Sequence, residues 1–424
     1  MNFKRILTVV LAVCLGLGVW AQQQSDLQRA QRIYDLLKEA QGDSVMHYMN
    51  DQVRAAVSAQ MLGATFAQLQ MQMGELKEVS EWQEDTMYGV HVYYRDLTFE
   101  KAALRLLLAF DADGRANTLR FVPVPKAPAV SQKTADQVPD DLREKSVEVC
   151  TGSFKLPGTL TMPLSEGRFP LLVLVHGSGP CDRDETVGGM KIFRDLAHGL
   201  ARKGIAVLRY DKRTKVYGNR STVSGQPMNY DSETTDDVVS ALRLAASLPQ
   251  VDSTRIFVLG HSLGGMLVPR IVQRAGAGRV AGGIVLAGPA RTMRELLTEQ
   301  LAYLASVKGE SETDVSAQVD GMMASLPESY REMDNSYRPL EAAAALEIPL
   351  LFLQGERDYQ VTMQDFGLWR SALAGKADVS FKSYVGLNHI LQEGTGKSVP
   401  AEYEEKGSVP QYVIDDIANF IQKY

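Results

Sequence analysis

Gly260-His261-Ser262-Leu263-Gly264 sets a serine between two glycines, after the apolar run Ile256 to Leu259 and before an apolar helical stretch with Met266, Leu267, Ile271 and Val272. Strand, turn and helix in that order make the setting of a nucleophile elbow, where strained backbone angles lift a serine hydroxyl above a sheet. That hydroxyl attacks poorly at neutral pH unless a base takes its proton. Of the six histidines, His47 and His91 lie in an unlike N-terminal segment, where no spacing suggests a metal site. His176 ends another strand, His198 lies on a helix and His261 adjoins the serine. His389, in a loop beyond the run Val379 to Val385, is therefore the candidate base.

An imidazole base needs a carboxylate that fixes its tautomer and stabilises the imidazolium. Asp358 follows the apolar run Leu350 to Leu353 and is the candidate, with Glu356, nearer the strand end, as its rival. The stretch after the preceding strand, Ala287-Gly288-Pro289-Ala290, offers no acid. A developing oxyanion needs backbone donors. The N–H groups of Ser178, in His176-Gly177-Ser178-Gly179, and of Leu263 are the expected pair, and Gly177 and Gly179 let a substrate approach closely. The chemistry is acyl transfer: Ser262 attacks, and water assisted by His389 releases the acid. It needs no metal or organic cofactor, and it should slow as acid protonates His389.

These residues need a common scaffold. Leu171 to Val175, Ala206 to Leu208, Ile256 to Leu259, Ile284 to Leu286 and Leu350 to Leu353 are apolar throughout, as strands buried on both faces must be. Helical stretches lie between them, including Ile192 to Arg202 and Asp236 to Leu248. The alternation predicts a mostly parallel sheet covered by helices on both faces, with its chemistry at the carboxyl ends of the strands. Val147 to Val149 and Leu160 to Met162 are expected to form an opening hairpin around Pro157-Gly158.

More than 50 residues separate the runs ending at Leu286 and beginning at Leu350, too many for a simple loop. Leu296, Leu297, Leu301 and Leu304, then Val315, Val319, Met322, Met323 and Leu326, have helical spacing and predict a cap over about 290–346. Met293, Leu297 and Met322 are candidates for an acyl pocket, or they glue the cap down. Arg183, Lys212 and Arg213, near the expected mouth, would either recognise an acidic or sugar-bearing substrate or form a charge network between loops.

Ahead of this lies a different segment. Leu27, Ala30, Ile33, Leu36 and Leu37 recur at helical steps, and a second helical stretch runs through Val45, Met49, Val53 and Val57. After Leu62, strands are expected over Met87 to Tyr94, over Ala102 to Phe110 and up to Val122. Residues 22–122 thus read as a small α+β domain, 123–145 as a linker with Pro123, Pro125, Pro128 and Pro139, and 146–424 as the catalytic domain.

The motifs from about residue 146 to the end resemble the α/β-hydrolase superfamily, specifically secreted esterases grouped with serine aminopeptidase-like hydrolases. The resemblance rests on Gly260 to Gly264, on His176-Gly177-Ser178-Gly179-Pro180 with Asp182-Arg183-Asp184-Glu185, and on Arg209-Tyr210-Asp211-Lys212-Arg213. Thr214-Lys215-Val216-Tyr217-Gly218 departs from the Gly-x-Gly turn of many relatives. It implies an α/β-hydrolase fold with a helical cap and activity on short acyl esters. The first segment is similar to domains of unknown function ahead of some secreted hydrolases, which resemble nuclear-transport-factor-like folds. A peptidase would need acids in the cap to hold an amine, and Glu295, Glu299, Glu310 and Glu312 are available. An inactive hydrolase fold that only binds is the alternative of another class.

The 424 residues are 45% apolar and 23% charged, which excludes a disordered chain and leaves room for two domains. A net charge of −6 argues against nucleic acid as a partner, leaving a small-molecule ester, with an acylated carbohydrate as one candidate. Lys4 and Arg5, the apolar run Ile6 to Trp20 and small residues Val19 and Ala21 read as a signal peptide over 1–21. The remaining chain is expected to be periplasmic or extracellular, without a membrane span. Export would permit, without requiring, a bridge between Cys150 and Cys181.

Overall fold

A computed structural model describes residues 26–87, 90–111, 113–124, 138–223, 226–309 and 314–424. The expected signal peptide, Pro125 and Pro128 lie outside the described residues. The chain divides into two compact units between Thr134 and Ala135.

In the first unit, α1 (26–38) turns Ala30, Ile33, Leu36 and Leu37 into the core. The expected second helical stretch is two helices, α2 (Gly42–Met46) and α3 (Asp51–Ala56). Asn50 starts the latter by accepting the Val53 N–H at 3.0 Å. Helix α4 (Ala59–Met73) continues where the sequence reading expected the helical pattern to stop. It buries little beyond Leu62 and Phe66, so its periodicity is faint. Strands β1 (Leu76–Val79), β2 (Gln83–Met87), β3 (Val90–Phe99), β4 (Ala103–Phe110) and β5 (Ala116–Pro123) form an antiparallel sheet. The strand expected over Met87 to Tyr94 straddles the β2–β3 hairpin, for Met87 faces Val90 and Gln83 faces Tyr94.

The second unit begins with β6 (Leu142–Thr151), four residues before the expected start at 146, and β7 (Phe154–Pro163). Their turn is Gly152-Ser153, with Gly152 at φ 58°, and not Pro157-Gly158, which lie inside β7 opposite Glu148 and Val147. Gly158 suits that place because a Cβ would stand tightly, 3.0 Å, from the Arg209 carbonyl oxygen. There follow β8 (Phe169–Val175), the short pair β9 (Thr186–Val187) and β10 (Met190–Lys191), α5 (Ile192–Arg202), β11 (Ala206–Tyr210) and α6 (Arg213–Tyr217). A π turn over Asp231–Thr235 runs into α7 (Asp236–Ser247), then β12 (Val251–His261), α8 (Leu263–Ala275) and β13 (Gly282–Leu286). Among the described residues the expected cap is four helices, α9 (Met293–Val307), α10 (Ser316–Ala324), α11 (Glu328–Ser336) and α12 (Pro339–Ala344). The chain closes with β14 (Leu350–Gly355), α13 (Met363–Ala372), β15 (Val379–Tyr384) and α14 (Gln411–Lys423).

The eight-stranded sheet has the order β15-β14-β13-β12-β8-β11-β7-β6, and β7 alone runs antiparallel to its neighbours. Strand β8 shows why such runs are wholly apolar. Leu171, Val173 and Val175 pack with α7 and α8, while Leu172 and Leu174 pack with α5 and α14. At the other end, Trp369 of α13 lies against Phe352 with ring centroids 5.1 Å apart and donates its indole N–H to the Gly288 carbonyl at 2.8 Å. Among the described residues no helix is long and apolar enough to cross a membrane. Truncating the buried Trp369 to Ala should cost about 3–5 kcal/mol, read as a lowered urea midpoint of unfolding.

Candidate active site

Strands β8, β12, β14 and β15 share one direction, so the loops after them meet at a single sheet edge. Ser262 stands there at φ 54°, ψ −121°, a left-handed conformation that costs energy in a residue with a side chain. The turn leaves no room beside it. A Cβ on Gly260 would lie 2.1 Å from the Gly264 carbonyl oxygen, and one on Gly264 would lie 2.3 Å from that of Val175. Both glycines of the pentapeptide are therefore steric requirements.

His389 and Asp358 are brought together. His389 Nδ1 is 2.6 Å from Asp358 Oδ2, and both residues are buried. The Asp358 carboxylate also accepts the N–H groups of Gln360 (2.7 Å) and Val361 (3.0 Å) and the Gln354 amide (3.2 Å). The rival Glu356 is exposed and accepts the Ser383 hydroxyl instead. Asn388 builds the histidine's loop, its side-chain oxygen accepting from the Ile390 and Gln392 N–H groups at 3.1 and 3.0 Å. The ring of His261, next to Ser262, lies 4.8 Å from the His389 ring, and its Nε2 is 2.9 Å from the His389 carbonyl oxygen. Through His261, its chain neighbour, the Ser262 turn is joined to the loop that carries His389.

Gly177 abuts the serine, since a Cβ on it would stand 3.2 Å from Ser262 Cβ. Its own N–H is not available to a substrate, because it donates to Glu185 Oε1 at 2.8 Å. Ser178 is exposed and its N–H has no protein partner among the described residues. Leu263 is the first residue of α8, where an N–H has no intrahelical acceptor. Gly179 takes φ 89°, which glycine adopts without strain.

Two buried histidines brace this edge. Burial pushes His176 down to about 4, so it is neutral, and its Nε2–H donates to the Asp182 carbonyl at 3.0 Å. Burial would lower His261 too, but the Glu185 carboxylate, 3.2 Å from its Nδ1, together with the His389 carbonyl and Asp358, outweighs it and raises the value. Glu185 is in turn held below the usual carboxylate range, because His261, His176 and the Gly177 N–H outweigh its own burial.

The positive residues expected to touch substrate do not have charges to spare. Arg183 spends its guanidinium on Asp211 (2.7 Å) and on the Thr159 hydroxyl. Lys212, 2% exposed, pairs with Glu233 at 2.6 Å, and Arg213, 4% exposed, pairs with Asp237 at 2.9 Å. The charge-network alternative describes all three. Met322 is exposed, Leu297 packs on Val315, Val319 and Met323 within the cap, and Met293 packs between the cap and the main core. Met293 and Leu297 thus help to build the cap. Cys150 and Cys181 are free thiols. Sequence reasoning gave no role to Gln354, Glu185, His261 or Asn388. Only Asn388, a turn-forming type in a loop, carried a local signal.

A profile of the α/β hydrolase family matches residues 172–410, and one of a protein family of unknown function, DUF3887, matches residues 30–119. The chain belongs to the α/β hydrolase family. It is similar along nearly its whole length to an esterase, EstD, of Thermotoga maritima, with 34% identity over 98% of this chain and all of that protein. Among solved structures it is similar to Est1E of Butyrivibrio proteoclasticus, with 15% identity, TM-score 0.45, and 66% of this chain and 98% of that one covered. It is also similar to the esterase Est22, with 16% identity, TM-score 0.46, and 67% and 82% covered.

Glu144, on β6, ties the network to the sheet. Burial would raise its carboxyl, but His198, Arg209 and the Thr161 hydroxyl outweigh that and hold it at about 2. A carboxyl depressed on folding stabilises above its unfolded value, and that stability disappears as pH falls toward the folded one. Glu144→Gln should therefore be less stable than wild type at neutral pH. The gap between their urea midpoints should close as pH falls from about 4.5 toward 2.

Proposed function

We propose that this chain is an exported serine carboxylesterase that cleaves short acyl or acetyl esters through an acyl-enzyme. The observation that carries the reading is the short His389–Asp358 hydrogen bond at the same sheet edge as the strained Ser262 turn. His389 Nε2 takes the Ser262 proton as Oγ attacks the ester carbonyl, and the carbonyl π pair moves onto oxygen. Asp358 holds Nδ1–H and stabilises the imidazolium, while its further hydrogen bonds fix the carboxylate in place. The N–H groups of Ser178 and Leu263 receive the oxyanion. His389 then protonates the leaving alkoxide, and water, activated by the same imidazole, releases the acid. The esterase name of the relative from Thermotoga maritima supports ester over amide bonds. Export rests on the leader-like residues 1–21. An acylated carbohydrate is a candidate natural substrate.

The aminopeptidase alternative loses support from the cap. Glu295 is spent on the start of α9 with Thr292, and Glu299 pairs with Arg291. Glu310 and Glu312 lie outside the described residues.

Ser262→Ala should lower turnover of an aryl acetate ~10⁴-fold or more with an unchanged melting temperature, and should abolish fluorophosphonate labelling. Wild type should hydrolyse the aryl acetate and leave an aminoacyl anilide intact. Near-normal turnover by the alanine variant would end the proposed mechanism.

A further inference from the structure

The peptide unit joining Gly177 and Ser178 is gripped at its oxygen. Lys212 Nζ donates to the Gly177 carbonyl at 2.8 Å and to Glu233 Oε1 at 2.6 Å. The ammonium is almost wholly buried and points away from solvent. Its own backbone N–H donates to the Cys181 carbonyl at 3.0 Å, so Lys212 holds this loop at two places. The phenol of Tyr330, on cap helix α11, lies near Glu233, and burial together with that carboxylate keeps the phenol protonated.

In a planar trans peptide the C=O and N–H point in opposite directions and share one delocalised system. The carbonyl that Lys212 holds belongs to the same unit as the Ser178 N–H, the proposed donor to the oxyanion. An ammonium on the carbonyl oxygen makes a charge-assisted bond and draws electron density from the amide nitrogen. The N–H at the far end becomes the stronger donor, as in polarised hydrogen-bond chains. It is also held in place before any negative charge develops, which is the condition for effective electrostatic catalysis.

We propose that Lys212 is a positioning residue for the oxyanion hole, aiming and polarising the Ser178 N–H through the Gly177 carbonyl, with Glu233 and Tyr330 of the cap fixing the ammonium. This rests on the reading of Ser262 as nucleophile.

Replacing Lys212 alone would strand Glu233 as a buried charge, so the test removes the pair together, in Lys212→Met/Glu233→Leu, alongside Lys212→Met. Two ketones serve as probes. A trifluoromethyl ketone adds the Ser262 oxygen, passes the serine proton to His389 and carries an oxyanion, whereas the matching methyl ketone binds without forming a stable one. In both variants kcat/KM on an aryl acetate should fall ~10- to 100-fold, and trifluoromethyl ketone affinity should fall by the same factor. Affinity for the methyl ketone should stay within about twofold, because it makes no such demand on the hole. A folded double variant with wild-type kcat/KM overturns the proposal. So does a loss of kcat/KM with trifluoromethyl ketone affinity unchanged, or an equal loss for both ketones. Wild type that neither labels with a fluorophosphonate nor hydrolyses the ester would instead remove the esterase reading, and this proposal with it.

Discussion

Closeness between the end of β8 and the start of α8 is the constraint on which this molecule is built. Gly264 sits against the Val175 and His176 carbonyls with no space for a methyl group. That contact fixes where Ser262 stands relative to the loop carrying Ser178, and so fixes the distance between a candidate nucleophile and a candidate donor. The strain at Ser262 persists because sheet, helix and loop over-determine the turn. His261, in the same turn, then reaches both Glu185 under the loop and the main chain of His389. Three loops from distant parts of the chain are thereby referred to one point.

Charge serves order here more than recognition. Arg209 joins Glu144 and Asp184, Arg183 joins Asp211, and Arg213 joins Asp237, all along the flank of the loop after β8. Burying such pairs gains little net stability, because desolvation opposes their attraction. What they do confer is registry, since each pair accepts one arrangement and penalises the rest. Glycine-rich backbone such as Gly177 to Gly179 has little side-chain packing of its own, so its shape must come from outside. The acids and bases supply it.

Much of this was legible in the sequence. The all-apolar runs located the buried strands, because a strand covered on both faces has no polar side to show. The turn chemistry of Gly260 to Gly264 located the serine, and chain order with a shortage of histidines located His389. What the sequence did not show were partnerships. The Lys212–Glu233 and Glu185–His261 contacts join residues far apart along the chain, and charged side chains near a mouth look alike whether they face substrate or one another. Helix α4 was missed because a helix with two buried residues has almost no pattern, and Pro157-Gly158 misled because a turn-like pair can sit in a strand where the neighbours leave little room for a Cβ.

The π turn over Asp231–Thr235 gives the network a dependence on chain length as well as on residue type. Such a turn holds one residue more than an α-helical path between the same points. Removing a single residue from it would let the chain wind as a regular α-helix between those points, and the residues left in the turn would shift around the helix axis by up to about 100°. Glu233 would leave Lys212 even with every side chain unchanged. Related chains that differ here by one insertion or deletion should therefore differ in how this edge is wired, even where their individual residues align.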